Sequence, residues 1–419
     1  MMHACRLSAS TAEAATRRTK RRAAALAVTA LFASSVQAET RRYEANFDVQ
    51  FAPESGLAHV TIAVVPDTAR VSQLDLPMPA THYRNVKGDG SVTRSGDRIV
   101  WQAPKAGGAL RYDVVIDHKR SDGVYDARMT RDWVIVRGDQ LFPPARIRQT
   151  KNSESSSRLS IKLPKGWTDR ESGYRLAPDG RFIVVNSGHS FDRPVGWIAA
   201  GDLFTRAETI GPIYYRVTGP KGQGLDRVQI LGMLRAATPS FVEAFGKVPE
   251  KVLIVGADDP MWRGGLAGPR SFWLHSERKL QSENGTSALL HELTHTVTGI
   301  HGAPGEDWIA EGIAEYYSIE LARRSGLLSD KLARQAIDSQ RRRGSKVESL
   351  TAEQSTGERT ARAVVVFAEL DAEIRRKSAG KHTLDDVART LMRVGRVTTA
   401  DLRGAAAKLI GTPESLAKI

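Results

Sequence analysis

One cysteine, Cys5, occurs in 419 residues, so no intrachain disulfide can form and stability has to come from packing. Beyond the first forty positions no run reaches eighteen apolar side chains, and no transmembrane helix is expected. Aromatic residues are scarce, at 6% of the chain, and do not interleave with basic ones, which argues against nucleic acid as a partner. Internal repeats and long low-complexity tracts are missing as well. Tyrosine stops at Tyr317, so no phenol is available from the C-terminal part of the chain.

Cys5 itself falls in an N-terminal leader. Arg17, Arg18, Lys20, Arg21 and Arg22 make a basic n-region, Ala23 to Ala33 an apolar h-region, and Val36-Gln37-Ala38 a small-residue cleavage site. Removing residues 1–38 leaves 381 residues without cysteine and lowers the formal charge from +14 to +9. A periplasmic or secreted protein is expected. The remaining basic residues are spread along the chain, with Arg341-Arg342-Arg343 as the one dense run, and serve solubility. Nothing in the sequence speaks to oligomeric state.

Length allows two or three domains. From Tyr43 to about Arg206 the chain alternates with period two, as in Tyr43–Val49, His59–Val64, Leu110–Ile116 and Leu159–Leu163. Gly, Asp, Pro and Ser break the runs, and a β-sandwich over 39–206 is expected. Leu225 to Phe245 then reads as an amphipathic helix and Lys251–Val255 as a buried strand. A catalytic region over 207–345 is expected to follow the sandwich. From Ser287 onward the pattern is helical, with a polar connection near Gly344 to Gly357, so 346–419 is expected to be a helical region.

The chemistry is concentrated in His291-Glu292-Leu293-Thr294-His295. Histidines four apart on a helix share a face, so both imidazoles can hold one cation while Glu292 reaches a water beside it. Asn284, Thr286 and Ser287 are candidate N-caps for that helix. Glu311, inside Trp308-Ile309-Ala310-Glu311-Gly312, lies on a second helical run. Gly299, Gly302, Pro304 and Gly305 mark the reversal between the two runs. Two imidazoles and a carboxylate with a fourth position left open is how catalytic zinc is held. Glu315, one turn beyond Glu311, is expected to orient His291 or His295 from behind. His301 is the rival third ligand. The metzincin pattern puts a histidine at that distance but needs a glycine three residues after His295, where Thr298 stands, and this favours Glu311.

The motif pair resembles the gluzincin metallopeptidases, in particular the glycyl-aminopeptidase and alanyl-aminopeptidase families. These join the same histidine-glutamate motif to a Trp-x-x-Glu-Gly helix, matched here by Trp308, Glu311 and Gly312. With gaps, the resemblance runs from about residue 195 to 395. It implies an α+β multi-domain protein: an N-terminal β-sandwich, a thermolysin-like gluzincin catalytic domain and a C-terminal helical region. It also implies one zinc ion per chain, held by His291, His295 and Glu311, with Glu292 as general base and a peptide or protein as substrate. Gly264, Gly265 and Leu266 match the cleft-lining edge strand of the family. Its usual acidic residue is replaced by Ala267, which leaves exo- and endo-cleavage open. The family tyrosine that meets the oxyanion has no counterpart, and Arg359, Arg362 or His382 is the expected substitute. A non-catalytic zinc-binding scaffold, or a peptide-binding protein derived from a peptidase, is the alternative.

Overall fold

Alternation builds the first half of the chain. Tyr43, Ala45, Phe47, Val49 and Phe51 are buried along Arg41–Ala52, while the residues between them face outward or lie half-buried. This strand pairs antiparallel with Leu57–Pro66 and parallel with Ser153–Lys162, at the centre of a seven-stranded sheet. A four-stranded sheet contributes Leu74, Leu76, Ile99 and Trp101 to the same core, giving two layers over one apolar interior. The structure is a computed structural model and describes residues 40–186, 191–417 and 419. The leader expected over residues 1–38 lies outside the described residues.

A third sheet joins the two halves. Its strands Trp133–Arg137 and Trp197–Gly201 pair antiparallel, with Val134 opposite Ala200 and Val136 opposite Ile198. Val134, Val136, Ile198 and Ala200 enter the sandwich core. Their alternate neighbours Trp133, Ile135, Trp197 and Ala199 enter a separate cluster with Leu253, Val255 and Trp273. A sheet covered on both faces reads in sequence as a continuous apolar run. A helical turn, α1 (Gly138–Leu141), follows its central strand.

The second half is sheet and helix. Leu203–Ile210, Ile213–Pro220, Lys251–Val255, Ser271–Leu274 and Gly265–Gly268 lie in that spatial order, the last at the sheet edge. Leu203–Ile210 belongs to this sheet and not to the sandwich. One face carries α2 (Arg227–Phe245), α3 (Ala288–Thr298) and α4 (Asp307–Arg324) over the largest core. Further helices are α5 (Asp330–Arg343), α6 (Glu358–Lys377), α7 (Leu384–Val394) and α8 (Thr399–Ile410). No described helix is long and apolar enough to cross a membrane.

Candidate metal centre

Local rules place α3. Of the three candidate caps, Ser287 accepts the Leu290 N–H at 3.2 Å, and Gly299 ends the helix in the left-handed conformation, with φ 58°. Leu289, Leu290, Leu293 and Val297 are buried beneath it, which leaves His291 and His295 off the face that packs into the core. Helix α4 is placed by packing. Gly312 faces α6, where an added Cβ would lie 2.7 Å from the Ala363 Cβ and from the Phe367 ring. Trp308 packs on the same ring and donates its indole N–H to Glu306. The tryptophan and glycine of the second motif therefore seat the helix, and Glu311 between them is left facing α3.

Three donor groups converge. The His291 and His295 Nε2 atoms are 3.1 Å apart, and the Glu311 oxygens lie 3.5 Å from the first and 3.3 Å from the second. These three side chains form a group that could hold a metal ion, with one ligand atom from each lying within 4.8 Å of the others. A tetrahedral zinc with bonds of about 2.0–2.1 Å holds its ligands roughly 3.3–3.4 Å apart, so the donor set fits that ion. Glu315 accepts from His291 Nδ1 at 2.9 Å, which leaves the Nε2 lone pair directed at the cluster. Burial pushes His291 towards its neutral form, but the Glu311 and Glu315 carboxylates outweigh it and its pKa lies well above the ordinary value. Burial likewise disfavours the Glu311 anion, and the two imidazoles overcome it and hold the carboxyl far below the usual range. A divalent cation would replace the protons these groups share.

Glu292 is 7% exposed, and burial raises its carboxyl above the usual carboxylate range despite the nearby His291, His295 and Arg278 charges. A carboxyl shifted towards neutrality suits a group that takes up and gives back a proton. Its neighbour is the edge strand. A Cβ on Gly265 would lie 2.5 Å from Glu292 Oε1, so only glycine lets strand and carboxylate approach this closely. Gly264 is bare for a different reason: the Trp262 ring occupies the space of its side chain. The Leu266 carbonyl accepts the Trp197 indole N–H at 2.9 Å, which anchors the strand to the joining sheet.

The strand register decides which backbone groups are free. Gly265 pairs with Leu274 and Gly268 with Ser271, and the His275 N–H donates to the Gly264 carbonyl. In an antiparallel ladder the bonded pairs alternate, so Gly264, Leu266 and Gly268 point inward while Gly265 and Ala267 present N–H and C=O to the open edge of the sheet.

The other expected residues lie elsewhere. His301 is exposed, stands outside the three-residue cluster, and pairs through a short parallel bridge with Arg396. Arg359 donates to the Ser349 carbonyl, and the backbone of Arg362 packs on Gly344. His382 sits at the turn between α6 and α7 beside Asp386. None of these three hydrogen-bonds with His291, Glu292, His295 or Glu311. Sequence reasoning missed the anchoring Trp197, which comes from a distant segment with no local pattern to mark it.

No family model matches the chain, and no curated protein sequence matches it. Solved structures do. An M1 zinc metallopeptidase from Deinococcus radiodurans matches with a TM-score of 0.57 at 15% identity, over 90% of this chain and 92% of that one. The fold is that of the M1 zinc metallopeptidases. An aminopeptidase N family protein from Idiomarina loihiensis matches with a TM-score of 0.61 at 16% identity, over 84% of this chain and 70% of that one.

Proposed function

We propose that this chain is a zinc-dependent peptide hydrolase of the gluzincin type, exported to the periplasm or beyond and carrying one zinc per chain. The observation that supports it most is the convergence of His291, His295 and Glu311 at separations matching a tetrahedral zinc shell. In this reading the sandwich over 39–206 braces a catalytic region over 207–345, and 346–419 packs behind Glu311.

His291 and His295 would hold the metal through Nε2 and Glu311 through its carboxylate, with Glu315 fixing the His291 ring. Bound zinc supplies Lewis acidity, acidifying a water and polarising the substrate carbonyl. Glu292 takes the water's proton at its carboxylate and returns it to the leaving amine, so the peptide C–N bond breaks as a C–O bond forms. Gly265 and Ala267 bond an extended peptide backbone in the manner of an added strand. The free-edge geometry favours a peptide over the scaffold alternative, because a structural site requires no open strand beside a buried carboxyl. Whether cleavage starts from an end or within the chain stays open in this reading.

The test is hydrolysis of an unbiased peptide mixture by zinc-loaded protein, with and without chelator, alongside Glu292→Gln. Chelator-sensitive cleavage that disappears in the variant, with zinc still bound, is expected. A wild-type protein that holds zinc and cleaves nothing would reject the proposal.

A further inference from the structure

Three cations, Arg263 just before the edge strand and Arg278 and Lys279 in the loop before α3, differ in their partners. Arg263 is engaged by Asp259 and by Glu277, and Lys279 by Glu283. Arg278 is exposed and, among the described residues, has no carboxylate within ion-pair distance. The one hydrogen bond from its guanidinium goes to the Arg263 carbonyl, at 3.3 Å. That bond holds the guanidinium against the backbone two residues before Gly265, the position that abuts Glu292. Two residues of chain span at most about 7 Å.

Ala267 and Gly268 offer no carboxylate to a substrate's ammonium group, whereas Arg278 offers a guanidinium with most of its donors unused. We propose that Arg278 determines specificity by receiving a substrate carboxylate, so that the site selects peptides with a negative charge one or two residues from the bond cleaved. That charge is either a free C-terminus or an Asp or Glu side chain. The proposal rests on the peptidase reading of the site. A guanidinium binds a carboxylate through paired N–H donors, and charge-assisted bonds of this kind change affinity roughly ten- to a hundredfold.

Binding separates this proposal from the proposal of catalysis. The probes are trialanine with a free C-terminus, its C-terminal amide, and two amides with glutamate in the second or third position. Each is titrated calorimetrically into zinc-loaded Glu292→Gln full chain, with and without Arg278→Ala, Arg278→Glu or Arg278→Lys. At least tenfold tighter binding of the free acid or of a glutamate amide over the neutral amide is expected, and which of them gains identifies the source of the carboxylate. Arg278→Ala should bring that ratio to about one, Arg278→Glu below one, and Arg278→Lys should keep part of it. Equal affinities with Arg278 intact, a ratio unchanged in Arg278→Ala, or no binding of any probe at millimolar concentration overturns the proposal. Failure of zinc-loaded wild type to cleave the same peptides, with the binding ratio present, rejects the peptidase reading and leaves the carboxylate site standing.

Discussion

Replacing Gly265 with alanine tests how tightly strand and base are fitted. The added Cβ would lie 2.5 Å from Glu292 Oε1 and 2.9 Å from Cδ and Cγ, where ordinary contact needs about 3.5 Å. Relief requires a movement of about 1 Å. The strand resists it, since Trp197 holds the Leu266 carbonyl and the Trp262 ring fills the space above Gly264. The carboxylate therefore moves, and a misplacement of about 1 Å at a reacting group costs about a hundredfold in rate. The three atoms nearest the added Cβ all belong to Glu292 and none to a proposed zinc ligand, so metal content should stay at one per chain by elemental analysis while kcat/KM on a fluorogenic peptide falls about a hundredfold. Shortening the base supplies a control. Glu292→Asp withdraws the carboxylate, so adding Gly265→Ala to that variant should cost far less than it does in wild type, a coupling that a double-mutant cycle reads directly. Wild-type kcat/KM in zinc-loaded Gly265→Ala would refute the argument that this glycine sets the position of the base.

Glu315→Gln should lower zinc affinity about ten- to a hundredfold in competition with a chelator, because it weakens the acceptor that orients His291. Gly312→Val should destabilise the fold by about 1–3 kcal/mol in denaturant titration, since a Cβ there meets Ala363 and Phe367 at 2.7 Å; unchanged stability would show that α6 yields. Glu373, 3% exposed, carries a linked pH effect: burial raises its pKa, but the Lys377 ammonium and the Glu414 and Ser415 N–H groups outweigh this and hold it at about 2 against 4.5. The unfolded chain binds that proton more tightly, so about 3 kcal/mol of stability is present above pH 4.5 and is lost as pH falls towards 2. Glu373→Gln should flatten that part of a Tm-against-pH curve, and an unaltered acid limb would refute the assignment.

Much of the candidate site was legible because its rules are local. The 291/295 spacing puts two imidazoles on one face of any helix, Ser287 caps that helix through its own third neighbour, and Gly299 ends it. Alternation likewise located strands such as Arg41–Ala52, where one face is buried and the other wet. It was less informative for Trp133–Arg137 and Trp197–Gly201. Both faces of those strands are covered, so alternation no longer separates inside from outside, and their bridging of two cores was invisible.

The glycines of the edge strand show where such reading ends and why. A Gly-Gly pair beside a strand states that something approaches the backbone closely, but it does not state what. The peptide substrate was the natural candidate. In the structure Trp262 fills the space at Gly264 and the Glu292 carboxylate stands at Gly265, so the two glycines serve different neighbours. The same limit applies to charge. Ala267 shows from sequence alone that an ammonium anchor is missing, whereas a guanidinium without a carboxylate partner beside the strand depends on Arg263, and not Arg278, drawing in Asp259 and Glu277. Which of two neighbouring arginines is left without a carboxylate is decided by the path of the loop between residues 258 and 286. That is why a specificity element can sit in plain view in the sequence and carry no signal until the loop is folded.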